Sequence, residues 1–211
     1  MEDLVHYALL AGMSLAAILN PVAAVPTFLA MTPRNTALER LRMAKRACAT
    51  AAGVLTAFAL LGQSIFKVFG ITLPSFQIAG GLVLLLISLD SLRAKRSPVQ
   101  ETPEETDEGT AKEDVSITPL AVPMLSGPGA ITTVIMLDTK AEGLLGHAVL
   151  FLMILAVCAL AYLVFRVAVT GARRINATAM NITTRIMGLL LAATGIEFIL
   201  GALRAVGALR G

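Results

Sequence analysis

Two places in this 211-residue chain set a helix-capping residue and a proline inside apolar sequence: Leu19-Asn20-Pro21 and Ser126-Gly127-Pro128-Gly129. Asn is a preferred N-cap, and proline suits the first helical position because its missing N–H has no helical partner there. Gly127 repeats the pattern as a cap with Ser126 before it, and Gly129 lets a ligand approach the backbone closely. Each site is thus a helix end followed at once by a helix start. A helix start carries about half a positive charge and free N–H groups, and a helix end exposes carbonyls. Together these ends suit a zwitterion, with its carboxylate on the amides and its ammonium on the carbonyls. The neighbours Ala23, Ala24, Ala130, Thr132 and Thr133 leave room only for something small, and no cationic side chain or aromatic cage stands near. The candidate substrate-binding residues are Asn20, Pro21, Ala23, Ser126, Gly127, Pro128, Gly129, Ala130 and Thr132.

The elements that must position them are membrane spans. The chain is 56% hydrophobic and 15% charged, with a mean hydropathy of +0.80, far from the balance of soluble domains. Crossing a hydrocarbon core takes about 20 helical residues. Suitable runs occur at Leu4–Pro33, Ala47–Phe66, Val68–Leu89, Val115–Leu137, Gly143–Phe165 and Thr183–Leu203. They predict an all-α membrane protein of six transmembrane helices. The first run would measure about 45 Å if continuously helical, too long for one straight span, which fits a break at Asn20-Pro21. By helical rise both breaks fall near the bilayer midplane. A break at that depth survives only inside protein or along a watery cavity. The start Met1-Glu2-Asp3 lacks the positive region of a secretory signal, so the first span is expected to be retained.

The 17 Lys and Arg residues divide thirteen to four between the two sides. The positive-inside rule then places both termini outside the cytoplasmic (inner) membrane. The pI near 9.1 is therefore a topology signal, and no nucleic-acid partner is expected. The polar, acidic segment 95–114 reads as a disordered cytoplasmic linker between a three-helix repeat in 1–94 and a second in 115–211. Pro21 registers with Pro128, and Gln77-Ile78-Ala79-Gly80-Gly81-Leu82 with Arg185-Ile186-Met187-Gly188-Leu189-Leu190, with a one-residue slip. Three spans per half invert the second half. This gives a 3+3 inverted repeat with discontinuous helices 1 and 4, an arrangement in which paired broken helices mark a transporter's binding site.

Other groups complete the inventory. Glu197 falls deep in the last span, where burial would favour the neutral acid that a proton carrier needs. Its alternative is a reach along the helix to Arg204. Asp90 and Arg93 are spaced for an ion pair on one helix face. Cys48 and Cys158 lie in apolar runs without ligand spacing, His6 and His147 fall near the outer surface, and Gly80, Gly81, Gly188 and Gly195 suit close helix approach. No metal, cofactor or nucleophile–base pair is expected, so the chain does not read as an enzyme.

The stretch Leu19-Asn20-Pro21-Val22-Ala23-Ala24-Val25-Pro26-Thr27-Phe28 resembles the first-span pattern of the MarC family of integral membrane proteins. Pro119 through Thr133, with Ser126-Gly127-Pro128-Gly129-Ala130-Ile131 at its centre, is similar to the family's fourth-span pattern, and Arg185 through Leu191 to the opening of its last span. The family usually has Gly where this chain has Ala23. The resemblance implies a six-span inner-membrane protein with members that transport small neutral amino acids such as glycine and alanine, the discontinuous helices holding the substrate. The expected activity is secondary transport by alternating access, driven by an H+ or Na+ gradient or by the solute's own. The alternatives are an exporter or channel for another small solute, and a membrane scaffold that transports nothing.

Overall fold

The computed structural model describes residues 2–94, 114–171 and 177–208, and these are helical with short connections. The elements are α1 (Glu2–Leu19), α2 (Pro21–Met31), α3 (Ala37–Phe69), α4 (Leu73–Leu92), α5 (Ser116–Leu125), α6 (Pro128–Lys140), α7 (Gly143–Thr170) and α8 (Ala177–Ala205). Apart from Asp114, the expected linker lies outside the described residues.

Local chemistry sets the boundaries. α3 starts ten residues before the expected span, at a capping box: Thr36 N–H donates to Glu39 Oε2 at 2.7 Å and Glu39 N–H to Thr36 Oγ1 at 3.4 Å. Gly70 ends α3 in the left-handed region at φ 64°, a conformation open to glycine at little cost. Thr72 caps α4, where Ser75 N–H donates to its hydroxyl at 3.4 Å. Arg40 Nε donates to the Thr32 carbonyl at 2.9 Å and so closes the end of α2. Between Asp90 and Arg93 the expected ion pair does not form. Arg93 instead gives its amide to the Asp90 carbonyl at 3.1 Å, as α4 ends there.

Five stretches among the described residues are long and apolar enough to cross a membrane: Asp3–Met31, Ala37–Gly62, Leu73–Leu92, Gly143–Thr170 and Asn181–Ala205. The expected fourth span is divided between α5 and α6, of 10 and 13 residues, each too short to cross alone. α5 is itself irregular. Thr118 and Val122 have extended backbones, Thr118–Pro119 is a cis peptide bond, and the hydrogen bonds reach five residues back, from Leu120 N to Val115 O (3.1 Å) and Ser126 N to Ala121 O (2.9 Å).

The exterior is apolar, with Leu86, Leu89, Leu152, Leu155, Leu163 and Leu189 all more than half exposed. Helices apolar on every face belong in lipid. The protein is a multi-pass membrane protein.

Segments 1–94 and 115–211 share one core. α1 and α2 pack on α7, while α5 and α6 pack on α3, and α4 lies along α8. The α4–α8 contact is made by small residues. A Cβ at Gly81 would stand 2.6 Å from the Gly195 carbonyl, and one at Gly188 would stand 2.9 Å from Ser91 Cβ. In lipid, association rests on such close approach, because hydrocarbon solvates leucine as well as a neighbouring helix does.

Candidate functional site

The first break turns on one residue. Asn20 sits in the left-handed region at φ 37°, ψ 62°, a conformation that Asn tolerates better than most residues. Its amide still donates to Ala16 O at 3.1 Å, finishing α1, while its carbonyl accepts from Ala23 N at 3.1 Å and Ala24 N at 3.3 Å, starting α2. The Asn20 side chain folds back, and its Oδ1 accepts from Ala23 N at 3.4 Å. Pro21 has no N–H to offer the buried Ala17 carbonyl four residues earlier. Asn20 is 5% exposed, Pro21 is buried and Ala23 half-buried.

The second break is built differently. Gly127 is extended (φ −74°, ψ −179°), and no side chain caps the start of α6. Helical bonding begins with Ile131 N to Gly127 O at 3.0 Å. Ser126 turns backward: its hydroxyl donates to Ala121 O at 2.8 Å and its amide to the same oxygen at 2.9 Å. Ser126 is fully buried, Ala130 3% exposed and Thr132 7% exposed. Thr133 Oγ1 bonds back to Gly129 O at 2.8 Å, and the Thr132 side chain packs against Gly80 of α4.

The two breaks meet. A Cβ at Gly129 would lie 2.9 Å from Ile18 Cδ1 of α1 and 2.7 Å from Ile87 Cδ1 of α4. The missing side chain at Gly129 thus admits two isoleucines in this conformation, where close approach by a ligand was expected. Pro128 is the exception among the predicted site residues. It is exposed, because as the first residue of α6 it points away from the face that carries the buried Gly129, Ala130, Thr132 and Thr133.

Glu197 does not have the burial expected of it. Thr184, Gly188, Leu191, Gly195, Phe198 and Ala202 form the buried stripe of α8 at spacings of three and four, and Glu197 falls off it. Its side chain is 57% exposed and Oε1 accepts from Arg204 Nη1 at 3.3 Å, the reach along the helix that was the alternative. Beside it, a cleft of about 310 Å³ lies between α1, α6 and α8, lined by Leu10, Ser14, Lys140, Thr194, Glu197 and Phe198. A neighbouring cleft of about 380 Å³ shares Lys140 and adds Asp3, Tyr7 and Glu142. Lys140 Nζ stands 5.7 Å over the Phe198 ring. Tyr7 of α1 donates its hydroxyl to Leu137 O of α6 at 2.9 Å. The sequence analysis singled out neither Lys140 nor Tyr7. Cys48 and Cys158 are buried free thiols, and among the described residues no acidic, His or Cys cluster is arranged to hold a metal.

Chemically, an uncapped helix start in a nearly dry setting attracts a carboxylate. The interrupted end of α1 beside it, with a carbonyl that Pro21 leaves without its helical donor, attracts a cation.

Comparison with known proteins places this architecture. The profile described as MarC family integral membrane protein matches residues 5–206. The "UPF0056 membrane protein YvbG" of Bacillus subtilis is 38% identical, over 88% of this chain and 89% of that protein. The "UPF0056 membrane protein MJ1677" of Methanocaldococcus jannaschii is 37% identical, over 94% of this chain and 97% of that protein. The "UPF0056 membrane protein YhcE" of Escherichia coli is 35% identical, over 91% and 89% respectively. No solved structure matches the chain. With the profile running almost end to end over a bundle of apolar helices, the chain belongs to the MarC family of integral membrane proteins.

Proposed function

We propose that this protein is a secondary transporter of small neutral amino acids, of glycine or alanine size, working by alternating access across the cytoplasmic membrane. The observation that carries the reading is the start of α6, left without a side-chain cap and pressed against the end of α1 at Ile18. The α6 amides seat the carboxylate, the terminal carbonyls of α1 take the ammonium, and Ala23, Ala130 and Thr132 limit the size. The H+ or Na+ gradient, or the solute's own, supplies the free energy.

The membrane arrangement belongs to the same proposal: six spans as a 3+3 inverted repeat, with α1–α2 and α5–α6 as the discontinuous first and fourth, and both termini outside. The pairing of helices supports it. α1 and α2 on α7 are matched by α5 and α6 on α3, and α2 with α8 by α6 with α4. Such reciprocal packing is what a two-fold relation between inverted halves produces.

The test is counterflow. Purified protein in liposomes preloaded with unlabelled alanine should accumulate labelled alanine or glycine saturably. A panel of small neutral amino acids that gives no counterflow would sink the proposal, and unsaturable flux would point to a channel.

A further inference from the structure

The cleft of about 310 Å³ between α1, α6 and α8 adjoins both helices that meet at the breaks, since α1 ends at Leu19 and α6 starts at Pro128. Its walls carry opposite charges. Lys140 stands at the far end of α6, where the Phe198 ring 5.7 Å below Nζ holds the ammonium at the wall. Lys140 makes no ion pair among the described residues. Glu197 lines the same cleft from α8. Its Oε1 takes the Arg204 guanidinium at 3.3 Å, and Oε2 has no hydrogen-bond partner among the described residues.

Ser14 of α1 is an independent sign. It is 6% exposed and lines the cleft, yet its hydroxyl makes no hydrogen bond among the described residues. A helical hydroxyl can bond back to a carbonyl of the preceding turn. Ser91, Thr133 and Thr194 do so, to Ile87, Gly129 and Leu190. Ser14 keeps its donor for the cleft, and a buried hydroxyl left open costs free energy until something there accepts it.

We infer that this cleft is a second binding site for a small zwitterion, separate from the breaks. The carboxylate sits on Lys140 Nζ and accepts from the Ser14 hydroxyl, and the ammonium sits on Glu197 Oε2. A simple anion would meet Glu197 and a simple cation would meet Lys140, whereas a zwitterion satisfies both walls. The volume is at the lower end of the roughly 300–1,000 Å³ that small-molecule sites span, which suits a small solute. Ile18, one turn beyond Ser14 on the same face of α1, occupies the space at Gly129, and the cleft lies on the Lys140 side of it. Resting on the transporter reading given above, the cleft is where the solute waits while Ile18 closes the way to the breaks.

The site is measurable without transport. The full chain carrying Ser14→Cys, in nanodiscs open to water on both faces, is treated with a sulfonate-bearing methanethiosulfonate, which stays in water. Native Cys48 and Cys158 are buried, and the unaltered protein supplies the background. The introduced thiol is expected to react, and glycine is expected to slow the reaction. Acetate and methylamine, each with one of the two charges, should not slow it at the same concentration. Lys140→Gln and Glu197→Gln should each raise the half-protecting glycine concentration about tenfold, the worth of one hydrogen bond to a charged group. Thr194→Cys, on the α8 wall, takes the place of Ser14→Cys if that variant does not fold. A thiol that never reacts shows that the cleft holds no water and overturns the site. Protection unchanged in both charge variants, or equal protection by acetate or methylamine, overturns it too. Counterflow without glycine protection removes this site and leaves the transporter standing, and protection without counterflow does the reverse.

Discussion

At the first break the chain passes through one left-handed asparagine whose own side chain caps the helix it starts. At the second it leaves a loosely wound α5, runs through an extended glycine and starts a helix that no side chain caps. The nearest polar side chains before the two prolines do opposite things. Asn20 points forward onto Ala23 N, and Ser126 points backward onto Ala121 O. The two interruptions therefore differ: the first carries its own side-chain cap, and the second leaves the start of α6 without one. On the proposed reading as an inverted-repeat transporter, two halves held in different conformations are what alternating access requires, since exchanging the conformations would exchange the open side.

Breaking the contact between the breaks should have the largest effect. Gly129→Leu must displace Ile18 and Ile87, which stand within 3 Å of where its Cβ would be. A loss of about 1–3 kcal/mol in stability and near-complete loss of uptake are expected, and a leucine variant with unaltered melting temperature would show that the two breaks do not pack as described. At the first break, Asn20→Ala forces alanine into the left-handed region, at about 1–2 kcal/mol, and removes a cap worth about 0.5–2 kcal/mol. Asn20→Gly should cost only about a few tenths of a kcal/mol. Equal melting temperatures for the two variants would remove the strain from the account.

The next prediction sharpens the contrast. Gly127 has a backbone conformation open to any residue, so Gly127→Ser can give α6 the side-chain cap it lacks. Thermal stability should rise by only about a few tenths of a kcal/mol while substrate affinity falls, because the serine oxygen competes for the same amides. Undiminished affinity would mean that those amides do not seat the carboxylate. Tyr7→Phe should cost about 1 kcal/mol through loss of the tie to Leu137. The smallest effect concerns the entry to α5, which has no counterpart at the first break. Hydrogen bonds from Ser116 and the Arg46 guanidinium, 2.9 Å away, hold the Asp114 carboxyl below its ordinary range. Its folded pKa is the lower one, so its stabilisation is present above about pH 4 and fades as pH falls through the folded value. Asp114→Asn should flatten that acid limb slightly, as measured by melting temperature against pH.

The sequence made both breaks visible because N-cap and proline chemistry is local, and Asn20-Pro21 and Gly127-Pro128 state it in two residues. It also made the α4–α8 glycines legible as contact points. Rotational phase was not legible. A helix apolar on every side gives no stripe to read, so the burial expected of Glu197 and the enclosure expected of Pro128 both failed. Nor could the irregular bonding of α5 be foreseen, since its extended Thr118 and Val122 carry no local signal.

The way the halves interlock bears on biosynthesis. Helices made first, α1 to α4, find nearly all their substantial neighbours among those made last. A nascent chain halted before α5 would leave Gly81 and the flank of α3 facing lipid, with their intended partners not yet translated. Insertion and assembly must then be separate events, the early helices waiting in the bilayer until the ribosome delivers the rest. Chains truncated near residue 94 should insert in the membrane and yet be cleared by its quality-control proteases.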